Sequence, residues 1–244
     1  MELIVLGCDG GWPSAGGATS GYLVRQEGFN LWVDCGVGTM ASLLEHVDVL
    51  DVGAVAISHE HPDHFLDLFM HYVGRYFNPN RPSARLPVFL PPGLVTKAVA
   101  IQPDLGGIFD FQEIAPGEGF EAGPFRVQTE RMAHPVLTLG MRIEANGTAL
   151  AYSADTGPTP DLTELARDAD ALLAEATWYA LPEGTPPLHL SGHEAGQHAA
   201  DAGVGKLVVT HVWPTYERSV IFEQAREKFS GPTVLAERGL RVDL

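Results

Sequence analysis

The heptapeptide "SHEHPDH", residues 58–64, constrains the fold of this chain more than any other part of its sequence. It places three histidines and two acids within six residues, namely His59, Glu60, His61, Asp63 and His64. The run "VGAVAIS" before it is continuously apolar, as in a strand buried on both faces. The segment "DHFLDLFMHYVGRY" after it has apolar residues at helical spacing. Such a polar cluster is costly to bury unless something binds it, so the pattern favours an α/β fold with a binding site at this strand end.

The spacing inside the cluster predicts which side chains converge. His59 and His61 are two residues apart and point the same way in an extended chain, whereas Glu60 alternates away from them. Asp63 and His64 begin the helix and can turn toward the same point. Imidazole and carboxylate together suit a borderline divalent ion such as zinc, so the sequence predicts a metal site here.

A metal site needs further ligands from distant parts of the chain. Three polar residues stand where an apolar run stops and a loop begins: His134 after "FRVQTERMA", Asp155 after "LAYSA", and His211 after "KLVVT". Each of these residues alone could equally well be a metal ligand or a polar residue whose hydrogen bonds are made within the protein. All three following the first cluster in order are stronger evidence for a shared site.

The remaining sequence predicts a single domain over residues 1–244 with two sheets. The N-terminal "LIVLGC" and the pair "YLVRQ" and "NLWVDC" read as strands, and the pair forms a hairpin around Gly28. Five further strand patterns, from "RLPVFLPP" to "TALAYSAD", precede an alternation of helices and strands that ends in a closing edge, "TVLAERGLRVDL". This order favours two sheets packed face to face with helices outside.

Composition narrows the class of protein. The formal net charge is −16, from 31 acidic against 15 basic residues, which disfavours a protein that binds nucleic acid through its phosphate backbone. No apolar run is long enough for a membrane span, and the start "MELIVLGCDGG" lacks the basic region of a signal peptide. We therefore expect a cytoplasmic protein without membrane contact, in which Cys8 and Cys35 are reduced core thiols.

These motifs resemble those of the metallo-β-lactamase superfamily. The resemblance rests on "HEHPDH", His134, "SADTG", "VVTH" and the earlier "VDCG", and it spans nearly the whole chain. It implies a four-layer αβ/βα sandwich with two divalent ions, zinc first and manganese or iron as alternatives. The implied ligands are His59, His61 and His134 for one ion, Asp63, His64 and His211 for the other, with Asp155 bridging. Asp34 is implied to brace the cluster loop without being a ligand.

Within the superfamily, the C-terminal part of the chain resembles ribonuclease Z and its short relatives. True β-lactamases of the common type carry a cysteine at one zinc position, and this chain has none near the site. The stretch "LHLSGHEAG" resembles the ribonuclease Z segment whose histidine faces the scissile phosphate, which implies His189 as proton donor, with His193 as a rival. In "LLAEATW", however, Ala174 stands where ribonuclease Z has a histidine, and there is no basic Gly/Pro-rich arm for tRNA.

A closer resemblance is to arm-less actinobacterial phosphodiesterases, through "SGYLVR", "RYFNPNRPS" and "AYSADTG". It implies a dinuclear hydrolase that cleaves a small nucleotide, including a cyclic one such as cyclic AMP, through a metal-bridged hydroxide held in line by Asp63. Arg75 and Arg81 are candidates to bind phosphate, and Trp12 to stack on a base. The alternatives are tRNA 3′ processing, a thioester or lactone hydrolase on the same ions, and a non-catalytic scaffold. The resemblance also implies a homodimer.

Overall fold

The computed structural model describes residues 1–179 and 183–244 and contains two seven-stranded mixed sheets. In spatial order, the strands of the first sheet are β14 (Arg241–Asp243), β1 (Glu2–Gly7), β2 (Gly21–Gln26), β3 (Phe29–Val33), β4 (Ala54–Ala56), β5 (Leu86–Leu90) and β6 (Phe109–Glu113). Those of the second sheet are β13 (Thr233–Leu235), β12 (Leu207–Thr210), β11 (Ala171–Glu175), β10 (Thr148–Tyr152), β9 (Leu139–Ala145), β8 (Phe125–Arg131) and β7 (Gly119–Ala122).

Helices cover the outer face of each sheet. The α-helices are α1 (Thr39–Leu43), α2 (Pro62–Phe65), α3 (Asp67–Tyr76), α4 (Leu94–Ile101), α5 (Pro160–Ala166), α6 (Gly192–Ala202) and α7 (Arg218–Lys228), with a 3₁₀ turn at Pro103–Gly107. One apolar cluster joins the two sheets, a second joins the first sheet to α1–α4, and a third joins the second sheet to α5–α7. Three apolar interfaces define four layers, which confirms the predicted αβ/βα sandwich.

Burial along the strands follows from this layering. Strand β8 has one solvated face, and its residues alternate between buried and exposed. Strands β4 and β11 lie between the other sheet and a helix layer, so all their residues are buried and they read as continuous apolar runs. The run "VGAVAIS" was identified as a strand for this reason, although the regular strand is only Ala54–Ala56.

Two elements differ from their prediction. The segment "DHFLDLFMHYVGRY" is not one helix, because the helix is interrupted at Leu66, between α2 and α3. The closing edge "TVLAERGLRVDL" is two strands on different sheets: β13 pairs with β12, and β14 pairs with β1. Gly239 between them has a φ of 85°, a backbone that turns the chain across from one sheet to the other.

The parallel parts of both sheets place their carboxyl ends at one edge of the sandwich. Strands β3, β4 and β5 are parallel in the first sheet, and β10, β11 and β12 are parallel in the second. Loops that follow β3, β4, β10, β11 and β12 therefore meet, although they are far apart in the sequence. None of the helices in the described part of the chain is long and apolar enough to cross a membrane.

Candidate metal centre

The loops at this edge bring together all seven residues predicted as metal ligands. His59 follows β4, His134 follows β8, Asp155 follows β10 and His211 follows β12. The ligand-type atoms form two groups, each with its atoms within 4.8 Å of one another: His59, His61, His134 and Asp155 in the first cluster, and Asp63, His64, Asp155 and His211 in the second cluster. The grouping is the one that the resemblance implied.

Asp155 belongs to both clusters, and its two oxygens face different ones. Its Oδ2 lies 3.6 Å from Nε2 of His59, in the first cluster. Its Oδ1 lies 3.2 Å from Nε2 of His64 and 3.3 Å from Nε2 of His211, in the second cluster. A carboxylate with one oxygen toward each group of ligands is suited to bridge two cations.

The spacing of ligand atoms fits metal ions. His61 Nδ1 and His134 Nε2 are 3.2 Å apart in the first cluster, and His64 Nε2 and His211 Nε2 are 3.4 Å apart in the second. Ligands about 2.0–2.1 Å from a tetrahedral ion are about 3.3 Å from each other. Among the described residues, the buried atoms His59 Nε2 and Asp155 Oδ1 have no hydrogen-bond partner. Buried polar atoms rarely remain without a partner, so these two are available as ligands.

The charges around the clusters fit cations as well. Burial lowers the pKa of His64, but Asp155, Asp63 and Asp34 raise it well above its ordinary value. Burial is also the main reason that the pKa of His59 lies well below its ordinary value, which keeps that imidazole neutral as a metal ligand must be. The raised pKa of His64 reflects the carboxylates around it, and a bound cation would be attracted by the same negative charge. With the fold, these features indicate that the site binds divalent metal.

Asp34 lies beneath both clusters and supports them through hydrogen bonds. Its Oδ2 accepts bonds from His64 Nδ1 at 2.8 Å, from the Tyr152 hydroxyl at 2.7 Å and from the Ser58 hydroxyl at 2.7 Å. Its Oδ1 accepts the Ser58 N–H at 2.7 Å. Because the Ser58 hydroxyl also lies 3.0 Å from His59 Nδ1, Asp34 orients one ligand of each cluster.

Three loops at the site contain a non-glycine residue with a left-handed backbone. The φ angles are 55° at Asp34, 50° at Ala154 and 53° at His211. Such conformations cost free energy and are retained only where the surroundings enforce them. Here they turn the chain sharply after β3, β10 and β12, at or next to Asp34, Asp155 and His211.

His189 forms a carboxylate–imidazole pair next to the clusters. Its Nδ1 lies 2.9 Å from Oε1 of the buried Glu175 and 4.0 Å from Oδ2 of Asp155. Burial lowers the pKa of His189, but the Glu175 carboxylate raises it more, to about 9. The other candidate proton donor, His193, lies on α6 and pairs with Glu227 at the surface at 2.8 Å. Only His189 of the two is bonded within the site.

Glu175 also reaches His211, a member of the second cluster. Its Oε2 accepts a 2.7 Å bond from the Thr177 hydroxyl, whose oxygen lies 2.9 Å from His211 Nδ1. One buried carboxylate therefore orients both His189 and His211. The sequence contained a signal for this role, since Glu175 is an acid at the end of an apolar run, as Asp155 is.

The residues predicted to contact substrate lie in different surroundings. Arg75 is 3% exposed, and its guanidinium donates to the Val49 carbonyl at 3.1 Å, so it packs α3 and does not face solvent to bind phosphate. Arg81 is exposed and lies over the Tyr76 ring, 5.5 Å from its centroid. Trp12 is 43% exposed on the glycine-rich loop after β1, and that loop reaches the second cluster.

The contact between this loop and the second cluster is made by the backbone. The N–H of Gly11 donates to Oδ2 of Asp63 at 2.9 Å. Sequence patterns did not identify this donor, nor Tyr152 and Ser58 around Asp34, because a backbone N–H or a core hydroxyl has no distinctive spacing. Glu60 points outward and bonds Lys97, as its alternation predicted.

Comparison with known proteins identifies similar chains. A family model described as the beta-lactamase superfamily domain matches residues 30–212. The protein Rv1339 of Mycobacterium tuberculosis is 38% identical over 241 residues, covering 95% of this chain and 88% of its own. The probable metallo-hydrolase YhfI of Bacillus subtilis is 31% identical and covers 98% of both chains. A ribonuclease Z of Methanopyrus kandleri is 29% identical and covers 99% of this chain and 98% of its own.

Solved structures have the same fold. The crystal structure of YhfI from Bacillus subtilis superposes with a TM-score of 0.93 at 28% identity, covering 99% of this chain and 98% of the other. A diphosphatase from the PhnP family superposes with a TM-score of 0.80 at 18% identity, covering 100% of this chain and 97% of the other. Below 25% identity the likeness concerns the fold alone.

Proposed function

This chain belongs to the beta-lactamase superfamily and is a metallo-hydrolase of that fold, and we propose that it is a phosphodiesterase with two divalent ions and a small nucleotide substrate. Among small nucleotides, we propose a cyclic nucleotide such as cyclic AMP as the first substrate to test. The observation that carries the proposal is the His189–Glu175 pair beside the two clusters that share Asp155. The similarity to a ribonuclease Z, whose name states hydrolysis of a phosphodiester, supports it.

The two ions would be held by the two clusters, with Asp155 between them. When bound, divalent ions act as Lewis acids and lower the pKa of a coordinated water from about 15.7 toward 7. We propose zinc in both positions, with manganese or iron as alternatives, since imidazole and carboxylate ligands accept all three. Metal analysis of the purified protein should find about two ions per chain.

Asp63 is proposed to orient the attacking water. The Gly11 N–H holds Oδ2 of Asp63, and His211 Nε2 lies 3.4 Å from that same oxygen. Burial raises the pKa of Asp63, but His64 and His211 lower it more, so the carboxylate stays ionised and can accept a hydrogen bond. A fixed acceptor can align a nucleophile with the phosphorus.

His189 is proposed to protonate the leaving alkoxide. Its Nδ1 is committed to Glu175, so Nε2 is the nitrogen that remains to donate toward substrate. Its pKa of about 9 keeps the ring protonated at neutral pH. An alkoxide is a poor leaving group and gains most from such a donor.

The test is hydrolysis of 3′,5′-cyclic AMP by protein loaded with zinc or manganese, with 5′-AMP followed by chromatography. The variant His61→Ala, which removes a first-cluster ligand, should lose both metal and turnover. The matched control His46→Ala changes a histidine outside both clusters and should keep them. Absence of turnover with both metals bound would exclude this substrate.

Ribonuclease activity on tRNA precursors is the second candidate, favoured by the ribonuclease Z relatives. It is disfavoured by the net charge of −16, by Ala174 in place of the family's histidine and by the lack of a basic arm in the sequence. Cleavage of a tRNA precursor, faster than that of cyclic AMP, would establish it instead. Thioesters and lactones are the next substrates to test on the same site.

A cytoplasmic location and a homodimer complete the proposal. The location is testable by fractionation of cells that produce the protein. The assembly is testable by sedimentation of the metal-loaded chain, whose monomer has a mass of 26.2 kDa.

A further inference from the structure

We propose that Trp213, together with Trp12, forms a stacking surface for the planar base of the substrate. This inference rests on the proposed function, because it concerns the group that accompanies the phosphodiester. It assigns to Trp213 a role in substrate specificity, next to the ligand His211.

Trp213 lies directly beside the second cluster. It is two residues after the ligand His211, in the loop that follows β12. A Cβ added to Gly10 would lie 2.9 Å from Cδ1 of Trp213 and 3.0 Å from Nδ1 of His211. A Cβ added to Gly11 would lie 3.6 Å from the Trp213 indole nitrogen, and Gly11 itself donates to Asp63. The indole therefore borders the residues that surround the proposed reaction site.

Other aromatic rings surround Trp213. Its ring centroid is 5.6 Å from that of Trp12, with an angle of 50° between the planes, and 5.9 Å from that of Tyr216, with an angle of 6°. The buried Trp178 meets it edge-on at 6.0 Å and also meets the His189 ring at 5.2 Å. These rings form a continuous aromatic wall from the proposed proton donor to the protein surface.

Packing alone does not account for the outer part of this wall. Trp178 is a packing residue, since it is almost completely buried. Trp12 is 43% exposed, and the wall opens to solvent there, beside a polar site. An apolar surface left open next to polar groups that converge on one point is typical of a ligand site.

Hydrogen bonds tie the loop that carries Trp12 to the rest of the fold. Oδ2 of Asp9 accepts bonds from the N–H of Ser14 at 2.8 Å and from its hydroxyl at 2.7 Å, and Oδ1 lies 3.4 Å from Arg218. The Gly10 N–H donates to the Val212 carbonyl at 3.0 Å, which ties this loop to the one that carries Trp213. A surface fixed before binding loses little entropy when a base stacks on it.

Stacking explains which ligands should bind. Every base has a π face, so an indole surface accepts any nucleobase, and a purine gives the larger contact. Ribose 5-phosphate presents the same phosphate and sugar without a base. We therefore expect the metal-loaded protein to bind 5′-AMP more tightly than ribose 5-phosphate.

The experiment is calorimetric titration of the metal-loaded protein with 5′-AMP and with ribose 5-phosphate. Stacking on one base changes affinity by about 5- to 140-fold when the aromatic is removed, so Trp213→Leu should weaken 5′-AMP binding by this factor. Its affinity for ribose 5-phosphate should stay within about twofold, and Trp213→Phe should restore most of the 5′-AMP affinity. Trp12→Leu should show the same selectivity, and Phe77→Leu, which alters an exposed aromatic on the chain after α3, serves as control.

The outcomes separate this inference from the proposed function. Hydrolysis of cyclic AMP and of bis(4-nitrophenyl) phosphate, a phosphodiester without a nucleobase, tests the proposed function separately. Equal affinity of the wild-type protein for 5′-AMP and ribose 5-phosphate, or binding of neither, would overturn stacking even if both phosphodiesters are hydrolysed. Preference for 5′-AMP that depends on Trp213, without hydrolysis of either phosphodiester, would support stacking and refute the proposed function. If Trp213→Leu does not fold, a loss of selectivity in Trp12→Leu supports the surface, and unchanged selectivity there overturns it.

Discussion

Replacement of Asp34 by asparagine would remove one negative charge from beneath both clusters with almost no change of shape. Asparagine tolerates the left-handed φ of 55° at this position, so the backbone can stay in place. The amide cannot serve all the donors that meet the carboxylate. If its NH₂ lies at the Oδ1 position, it faces the Ser58 N–H; at the Oδ2 position, it faces His64, Tyr152 and the Ser58 hydroxyl.

The magnitude follows from these contacts. In the better orientation one buried donor loses its acceptor, which costs about 1–3 kcal/mol, and the three remaining bonds lose their charge assistance, which adds about 1–2 kcal/mol. We expect the free energy of unfolding of Asp34→Asn to fall by about 2–5 kcal/mol. For a chain of this size that corresponds to a decrease in Tm of about 4–20 °C.

Metal affinity should fall as well, because Asp34 orients His64 directly and His59 through Ser58. Loss of such a supporting partner typically costs about 10–100-fold in metal affinity. Thermal unfolding of chelator-treated protein would measure the loss of stability, and competition for zinc with a chromophoric chelator would measure the loss of metal affinity.

The matched control is Asp170→Asn. Asp170 is an exposed carboxylate that accepts the Ala149 N–H at 2.8 Å, at the opposite end of β10 from Asp155. It should lose some stability but keep its metal affinity. A metal affinity of Asp34→Asn within about twofold of wild type would refute the reasoning, since the predicted loss is at least about tenfold.

Three further predictions concern other contacts. Glu175→Gln should lower kcat by about 10- to 100-fold, because His189 loses the charge that keeps it protonated; steady-state kinetics would show this as a fall in kcat greater than any rise in KM. Burial lowers the pKa of His71 from 6.5 to about 4, so between pH 6.5 and pH 4 the unfolded state binds this proton more strongly than the folded state does. The free energy of unfolding should therefore fall by about 3 kcal/mol from pH 6.5 to pH 4, and denaturant titrations should show a smaller fall for the variant His71→Gln. Arg75→Met should leave KM for cyclic AMP unchanged but lower Tm, because its guanidinium donates to Val49; a large rise in KM would restore its predicted role in binding phosphate.

Much of the site could be predicted from the sequence because its ligands obey local rules. His59 and His61 are two residues apart after a buried strand, so they share a direction. Asp155 and His211 follow apolar runs that form parallel strands, whose ends meet at one edge. His134 follows β8, which runs in the same direction as β10 because both pair antiparallel with β9. The alternation of strand and helix patterns likewise determined the layered architecture.

The same local rules do not predict contacts across the fold. Arg75 lies next to an exposed segment in the sequence, yet helix α3 directs it inward to Val49. His189 and His193 are both close to the start of α6, and the structure places only His189 against Glu175, on a strand of the second sheet, whereas His193 pairs with Glu227 at the surface.

The sequence by itself therefore predicted the layered fold class, which the structure confirms, and the seven candidate ligand residues, which the structure brings together, because both depend on the pattern of one segment at a time. Only the tertiary structure decided which oxygen of Asp155 faces each cluster, through which hydrogen bonds Asp34 reaches His64 and His59, and that Trp213 borders the site. It also divided the C-terminal segment between the two sheets. These features depend on the direction of side chains from segments far apart in the chain, and that direction is set only when the two sheets pack.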